Sequence, residues 1–234
     1  MIRDGLAGSA GPHVFVDSLD AMVVDEHDLA HLSKSLRMRD GDPLTASDGK
    51  GAWRHGRFDS SGIIEPEGTV QRVEAREEQL TVAFSLVKGN KPELVIQKLT
   101  EIGIDRIVVL AAERSIVKWD HTKVERNHER WKRIIREAAM QSHRVRLPEL
   151  TAVVPALEWL AQPGVAGAHF GAPEIGVASR SVAIGPEGGW APSEVGAIVE
   201  SVSLGDTVLR AETAAIAAGV LLCAAARGAR FDGR

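Results

Sequence analysis

From residue 78 onward, short apolar runs alternate with amphipathic segments, and this alternation limits the folds open to that part of the chain. The run EEQLTVAFSLVKG (77–89) precedes KPELVIQKLTEIG (91–103), where Pro92 suits a first helical turn and Gly103 suits a helix end. A second apolar run, RIVVLAA (106–112), follows directly. Strands separated by helices build a mostly parallel sheet. The pattern therefore predicts an α/β region with such a sheet.

The first 75 residues show a different pattern. Short alternating runs, HVFV, DPLTAS, AWRHGRF and GTVQRVEA, are broken by five glycines at the close spacing of a small β-barrel, namely Gly41, Gly49, Gly51, Gly62 and Gly68. One short helix is predicted near Asp25 to Leu36. The change of pattern predicts two domains, residues 1–75 and 76–234.

Cysteine content and hydropathy exclude several classes of protein. The chain of 234 residues has one cysteine, Cys223, within an apolar run, which argues against a disulfide framework and a cysteine-based metal site. No apolar run approaches the length of a membrane span, and the N-terminal residues lack the pattern of a signal peptide. We therefore expect a soluble, cytoplasmic protein that needs neither a membrane nor a metal.

The net charge of −4 is unevenly distributed. Residues 114–150 contain ten Lys and Arg against five Asp and Glu, whereas residues 151–209 contain one against six. The stretch 34–57 is also basic, with six cations against three carboxylates. Two basic patches on an acidic chain indicate either a polyanion that binds at defined places or solvated faces. In residues 122–144, the apolar stripe predicts a helix with a cationic exterior and with Trp131 in the core.

The segment AIGPEGGWAPSEV (183–195) places three glycines and a proline between a strand and a helix. It has no lysine, which excludes a P-loop, and its glycine spacing does not fit a dinucleotide-binding turn. What remains is a tight turn whose glycines permit positive φ and close approach of a ligand, or an ordinary loop.

The C-terminal segment SLGDTVLRAETAAIAAGVLLCAAARG (203–228) predicts a short strand, a turn at Gly205 and a helix from about Glu212. From Ala214 to Ala226 the helix is apolar on every side, which indicates burial within the domain or against a second subunit. Arg210 and Glu212 stand at its start, where helix capping and a salt bridge are the structural alternatives to a catalytic role. In a parallel sheet, this loop and the glycine turn would lie at the same edge.

Together these motifs resemble the RsmE-type RNA methyltransferases of the SPOUT superfamily, which methylate N3 of a uridine in 16S ribosomal RNA with S-adenosyl-L-methionine. The resemblance covers almost the whole chain and includes HLSKSLRMRDGD, KGNKPELVIQKLTEIGID, ERSIVKW, ERWKRIIREAAMQSHRVRLPEL, the glycine turn and LGDTVLRAETAAIAA. It implies a PUA-like β-barrel followed by an α/β domain with a trefoil knot and helices on both faces of the sheet. It also implies a homodimer that acts on 16S rRNA or on the assembled small ribosomal subunit.

The resemblance also implies site residues. The cofactor would be bound by Ile184, Gly185, Pro186, Glu187, Gly188, Gly189, Leu204, Gly205, Val208, Leu209, Arg210 and Thr213. Arg210 would stabilise the uracil anion and Glu212 would be the general base. RNA would be held by Lys34, Arg37, Arg39, Lys88, Lys91, Arg114, Lys118, Arg136 and Arg144.

Two other functions stay open at the level of sequence. One is a SPOUT methyltransferase that modifies another RNA atom, such as a ribose 2'-hydroxyl. The other is a non-catalytic RNA-binding or ribosome-assembly protein. The intact glycine turn and LRAETA disfavour the second, since a binding module does not need a cofactor pocket.

Overall fold

The computed structural model describes residues 11–117, 121–169, 171–173, 175 and 179–228. The chain forms two compact units, one of Met1–Glu77 with Arg136–Leu147 and the other of Glu78–Ile135 with Pro148–Arg234. The change of sequence pattern near residue 76 lies close to the first division. Sequence analysis did not anticipate that residues 136–147 pack with the N-terminal unit.

The first unit is built on a four-stranded sheet in the order β1-β2-β3-β4. Its strands are β1 (His13–Phe15), β2 (Pro43–Ser47), β3 (Ala52–Arg57) and β4 (Glu65–Arg72). β1 pairs parallel with β2, whereas β2, β3 and β4 pair antiparallel in succession. The four predicted alternating runs are thus all strands.

Helix α1 (Glu26–Ala30) of the first unit continues into one π-helical turn, His31–Ser35. Asp25 caps the helix, because its Oδ1 accepts a 2.7 Å hydrogen bond from the main-chain N–H of Asp28. The predicted short helix is therefore present. The apolar core of this unit comprises Val14, Val16, Met22, Val24, Leu32, Leu44, Ala46, Phe58 and Ile64.

The second unit contains a six-stranded sheet in the order β10-β8-β9-β5-β6-β7. Its strands are β5 (Thr81–Ser85), β6 (Arg106–Ala111), β7 (Glu149–Pro155), β8 (Val165–Ala168), β9 (Ser181–Ile184) and β10 (Glu200–Val202). Every pair of neighbouring strands in this order is parallel. The predicted α/β fold with a parallel sheet is confirmed.

The central strands bury both faces, as strands covered by helices on both sides do. On one face, Val82, Phe84, Val182 and Ile184 belong to a core that includes residues of α2 (Lys91–Ile102), α3 (His121–Gln141) and α6 (Ala211–Ala226). On the other face, Ala83 belongs to a core with residues of α4 (Ala156–Leu160) and the segment that leads into α5 (Pro192–Ala197). This layering leaves the carboxyl ends of the strands and their loops as the open edge of the sheet.

Two helices of the second unit follow from their sequences. In α2, Pro92 lies in the first turn and Gly103 ends the helix with φ +106°, a conformation that favours glycine. In α6, Ala215, Ala218 and Leu222 are fully buried. Trp131 is fully buried too, which confirms its predicted core position. Within the described residues, no helix combines the length and apolar character that a transmembrane span requires.

Candidate active site

A cavity of about 440 Å³ lies at the carboxyl ends of β8, β9 and β10. β9 lies next to β5 in the sheet. The strands that follow β5 in the chain, β6 and β7, lie on one side of this pair, whereas β8 and β10 lie on the other side. The direction in which successive strands are added therefore reverses between β5 and β9. Open α/β sheets bind ligands outside the carboxyl ends of their strands beside such a reversal, and this cavity is lined by the loops on its β8, β9 and β10 side. The cavity walls are Ala168, His169, Ile184, Gly185, Pro186, Glu187, Gly189, Trp190, Val195, Ser203, Leu204, Gly205, Thr207, Val208, Leu209, Ala211 and Ala214.

Most of the predicted cofactor residues lie in these walls. Nine of them line the cavity: Ile184, Gly185, Pro186, Glu187, Gly189, Leu204, Gly205, Val208 and Leu209. Gly188 of the glycine turn, Arg210 before α6 and Thr213 in the first turn of α6 are not among the lining residues. The structure thus brings the glycine turn and the loop after β10 together around one cavity, and their role in cofactor binding stays a prediction.

Sequence reasoning missed eight lining residues: Ala168, His169, Trp190, Val195, Ser203, Thr207, Ala211 and Ala214. Ala168 ends β8 and His169 follows it, and the sequence of this strand is weakly apolar and therefore gave little signal. Ala211 and Ala214 are three residues apart on α6, so helical spacing places them on one face. This helical spacing is the sequence signal that could have placed both residues at the cavity.

Glycine is favoured in the cavity loops for two different structural reasons. Gly189 and Gly205 adopt φ of +71° and +133°, and no atom lies within 4 Å of a Cβ placed at either residue. Positive φ, rather than lack of space within the protein, therefore favours glycine at these two positions. At Gly185, a Cβ would lie 3.0 Å from the Trp190 ring. Glycine at 185 lets this buried indole pack against the turn.

A buried carboxylate fixes the end of the glycine turn. Glu194 is 2% exposed, and its Oε2 accepts a 2.8 Å hydrogen bond from the main-chain N–H of Ala191. Its Oε1 accepts another of 2.8 Å from the main-chain N–H of Glu113, in the loop after β6. Arg114 of the same loop donates a 3.3 Å hydrogen bond from Nη1 to the carbonyl of Gly188. The loop after β6 therefore supports the turn through both side chains and main chain.

Lys91, at the start of α2, joins two carboxylates near the cavity. Its Nζ lies 3.3 Å from Oε1 of Glu187, which lines the cavity. The same Nζ lies 3.1 Å from Oε1 of Glu212, in the first turn of α6. Hydrogen bonds to Glu212 and then to Glu187 raise the pKa of the Lys91 amine. The predicted contact of Lys91 with RNA stays a prediction, and the structure shows its amine in an ion-pair network of the second unit.

The two predicted catalytic residues lie at the start of α6. Arg210 is the residue before the helix and is exposed. Burial of the Glu212 carboxyl acts to raise its pKa. Hydrogen bonds from its own main-chain N–H and from Lys91 lower the pKa, as do the positive charges of Lys91 and Arg210. Together these outweigh burial, so the pKa of Glu212 is lowered. Glu212 is therefore ionised at neutral pH, and its proton affinity is weaker than that of a free glutamate.

Apart from Lys91, the predicted RNA-binding residues fall into three groups. Five are exposed: Lys34, Arg37, Arg39, Lys88 and Arg114. Arg136 is ion-paired in the first unit, and Arg144 is only 3% exposed, a position that fits an internal structural role better than a phosphate contact. Lys118 lies outside the described residues.

Within the described residues, one cluster has side chains close enough to share a metal ion, that of Asp25, His27 and Asp28 in the first unit. Nη2 of Arg136 donates hydrogen bonds of 3.2 Å to Asp25 and 2.6 Å to Asp28, and another of 3.0 Å to the carbonyl of Phe15. Because a guanidinium already neutralises both carboxylates, the cluster is an ion-pair network that anchors α1.

Comparison with known proteins assigns the class. Residues 74–222 match the model of the RNA methyltransferase domain family. A methyltransferase from Legionella pneumophila, solved with bound cofactor SAM, is 27% identical, with a TM-score of 0.78 over 93% of this chain and 98% of that chain. A ribosomal RNA small subunit methyltransferase E from Neisseria gonorrhoeae, 24% identical, has the same fold with a TM-score of 0.72 over 89% of this chain and 94% of that chain.

The fold and this family match define an RNA methyltransferase of the parallel α/β class. The ribosomal RNA small subunit methyltransferase E of Mycobacterium tuberculosis is 32% identical over 230 residues, which cover 87% of this chain and 88% of that relative. The chain belongs to the family of ribosomal RNA small subunit methyltransferase E.

Proposed function

We propose that this protein transfers a methyl group from S-adenosyl-L-methionine to N3 of a uridine in 16S rRNA. The observation that carries the proposal is the cavity at the carboxyl ends of β8, β9 and β10, formed by the glycine turn and the loop before α6. Family membership supplies the substrate class, and the resemblance noted in the sequence supplies the atom.

The residues of the cavity fit the cofactor. A volume of about 440 Å³ lies within the range of small-molecule sites, which are mostly apolar with a few polar groups. Ile184, Leu204 and Leu209 provide apolar walls, and main-chain groups of the glycine turn are available as polar contacts. The bound cofactor supplies an activated methyl group on a sulfonium.

The protein's part in the reaction is to position the uracil and to manage the N3 proton. We assign stabilisation of the uracil anion to Arg210, whose exposed position before α6 leaves its guanidinium accessible to RNA. Glu212 is the candidate base because it is ionised and stands two residues after Arg210; its lowered pKa and its pairing with Lys91 make it a weaker proton acceptor than a free glutamate.

We propose that the exposed cations of the two units hold the RNA through phosphate contacts, so that binding weakens with added salt. The resemblance further supports a PUA-like barrel for the N-terminal domain (1–75), a trefoil knot in the methyltransferase domain (76–234), and a homodimer. The apolar character of α6 is in keeping with a subunit contact. A ribosomal RNA substrate implies a cytoplasmic location.

Two measurements test this function. Calorimetry of the full chain with S-adenosyl-L-methionine is expected to show binding, and absence of binding would favour a non-catalytic RNA-binding protein. Mass mapping of 16S rRNA and of small subunits treated with protein and cofactor is expected to find methylation on a uracil base. A methyl group found on a ribose would overturn the proposed N3 specificity.

The roles of the two candidate catalytic residues need a separate measurement. Single-turnover methylation by Arg210→Met is expected to be slowed, and Glu212→Gln is expected to be slowed if the carboxylate accepts the N3 proton. A Glu212→Gln variant with an unchanged rate would remove Glu212 as the base.

A further inference from the structure

We propose that Lys91 is a positioning residue that holds the two walls of the cofactor cavity at their working separation. The inference rests on the function proposed above. Lys91 contacts one carboxylate on each wall: Glu187 belongs to the glycine turn, and Glu212 stands in the first turn of α6. The three side chains come from separate elements, so the contact connects parts of the site that are far apart in sequence.

Charge explains why a cation is needed between these walls. Glu187 and Glu212 both direct an oxygen to the same ammonium group, at 3.3 and 3.1 Å from Nζ. Without that group, two like charges would repel each other across the entrance to the site. Arg114 and Trp190 hold the turn at Gly188 and Gly185, whereas the carboxylate of Glu187 is held by Lys91.

Burial gives the Lys91–Glu212 contact more weight than the Lys91–Glu187 contact, because the Glu187 side chain is 47% exposed. The side chains of Lys91 and Glu212 are 33% and 13% exposed. Pairs that are partly removed from water are screened less than those on the open surface. Ala211 and Ala214, on either side of Glu212 in the sequence, both line the cavity. A shift at the start of α6 would therefore change the shape of the cavity itself.

The same geometry separates Lys91 from the other predicted RNA-binding cations. Its ammonium already has two carboxylate partners within the second unit. A lysine that contacts phosphate would have to give up this pairing. We therefore assign Lys91 to cofactor binding rather than to direct RNA binding.

The test compares cofactor affinity, measured by calorimetry without RNA, in the wild type and four variants. Lys91→Met is expected to weaken binding about tenfold, the size of effect that a charge-assisted hydrogen bond produces. Lys91→Arg is expected to keep most of the wild-type cofactor affinity, because arginine keeps the positive charge. Glu187→Gln, at an exposed loop position, is expected to weaken binding in the same direction and serves if Lys91→Met does not fold.

Lys98→Met is the matched control. Lys98 is on the same helix and is ion-paired with Glu101 at 2.8 Å, but neither residue lines the cavity. Its cofactor affinity is expected to equal that of the wild type. Equal affinity of Lys91→Met and wild type would overturn the proposal, as would loss of 16S rRNA affinity in Lys91→Met with normal cofactor binding. Failure of the wild type to bind the cofactor would instead refute the proposed function.

Lowering the pH gives a second readout. In the wild type, protonation of Glu212 breaks its pairing with Lys91, so cofactor affinity is expected to fall as the pH drops through the lowered pKa of Glu212. In Lys91→Met there is no pairing to lose, and protonation relieves the repulsion between Glu212 and Glu187, so affinity is expected to fall less and the two proteins to converge at low pH. A role limited to general stability would not shift this profile. Identical profiles for the two proteins would contradict the positioning role.

Discussion

Glu194 and Glu113 are joined by a 2.8 Å hydrogen bond, in which the main-chain N–H of Glu113 donates to Oε1 of the buried Glu194 carboxylate. The other oxygen of Glu194 accepts from the main-chain N–H of Ala191. One side chain thereby binds the loop after β6 to the residue that precedes α5. If this carboxylate were removed, the buried N–H of Ala191 and the part-buried N–H of Glu113 would both lose their acceptor.

Replacement of Glu194 by alanine is expected to lower the free energy of unfolding by about 2 kcal/mol, because one buried and one part-buried N–H group lose their side-chain acceptor. Urea denaturation measures the loss. Glu158→Ala, which removes an exposed carboxylate from α4, is the control and is expected to change stability by about 0.5 kcal/mol or less. Equal losses in the two variants would show that Glu194 does not hold the turn.

Gly189 and Gly164 form a matched pair that separates backbone strain from cofactor binding. They have φ of +71° and +75°, and a Cβ placed at either residue would have no atom within 4 Å, but only Gly189 lines the cavity. Alanine at either position is expected to cost about 1–2 kcal/mol of stability, since both φ values are left-handed. Only Gly189→Ala is expected to weaken cofactor binding in calorimetry. Similar affinities in both variants would argue against a cofactor contact by the turn.

Arg136 is predicted to stabilise the first unit. Arg136→Met leaves the buried Asp28 carboxylate, 4% exposed, without its guanidinium partner. We expect a loss of about 2 kcal/mol in the free energy of unfolding. Arg133→Met, an exposed change on the same helix, is expected to have little effect. A normally stable Arg136→Met protein with reduced RNA affinity would favour the RNA-binding role predicted from sequence.

His13 is expected to make the first unit sensitive to acid. Its ring is 1% exposed, with Nδ1 2.8 Å from Thr45 Oγ1 and Nε2 2.9 Å from Ser47 Oγ. Burial, with a smaller contribution from the charge of His143, lowers the His13 pKa from 6.5 to about 3. The unfolded chain therefore takes up this proton at a higher pH than the folded chain does. Stability is expected to fall as pH decreases from 6.5 towards 3, by at most about 1.4 kcal/mol per pH unit.

Urea unfolding at a series of pH values checks this expectation. Above pH 6.5 His13 is neutral in both the folded and the unfolded chain. It therefore contributes nothing there to the slope of unfolding free energy against pH. His13→Gln is expected to be less stable at neutral pH but to lose part of the slope below pH 6.5. His31→Gln, at an exposed position, is the control and is expected to keep the wild-type slope. An unchanged slope in His13→Gln would contradict the prediction.

The local pattern of the chain predicted most of the fold of the second unit. Alternation of strands and helices, Pro92 in the first turn of α2 and Gly103 at its end, and the apolar final helix all appear as expected. These features depend on neighbours within a few residues. The order β10-β8-β9-β5-β6-β7 was not predicted, because strand order depends on how distant segments pack.

In the candidate site, too, local motifs were predictable and contacts between distant segments were not. That the glycine turn and the loop before α6 line one cavity follows from two motifs and the rule that parallel strands place their carboxyl ends at one edge. His169 was missed because it belongs to no motif, and Trp190 was missed because only the bare turn before it, within the segment 183–195, was interpreted as a ligand contact. The association of residues 136–147 with the first unit was also missed, because the sequence of α3 is continuous across that boundary.

The sequence by itself determined the elements, the family and the two loops of the cavity, because strand and helix periodicity and short motifs are local properties of the chain. Only the tertiary structure decided the ionic partners. Lys91 lies 96 residues from Glu187 and 121 from Glu212, and no local pattern relates them. Likewise, only the structure shows that Arg144 is buried, unlike the exposed cations with which it was grouped in the sequence. Charge pairing and burial depend on which distant surfaces pack together, and that is settled only when the chain folds.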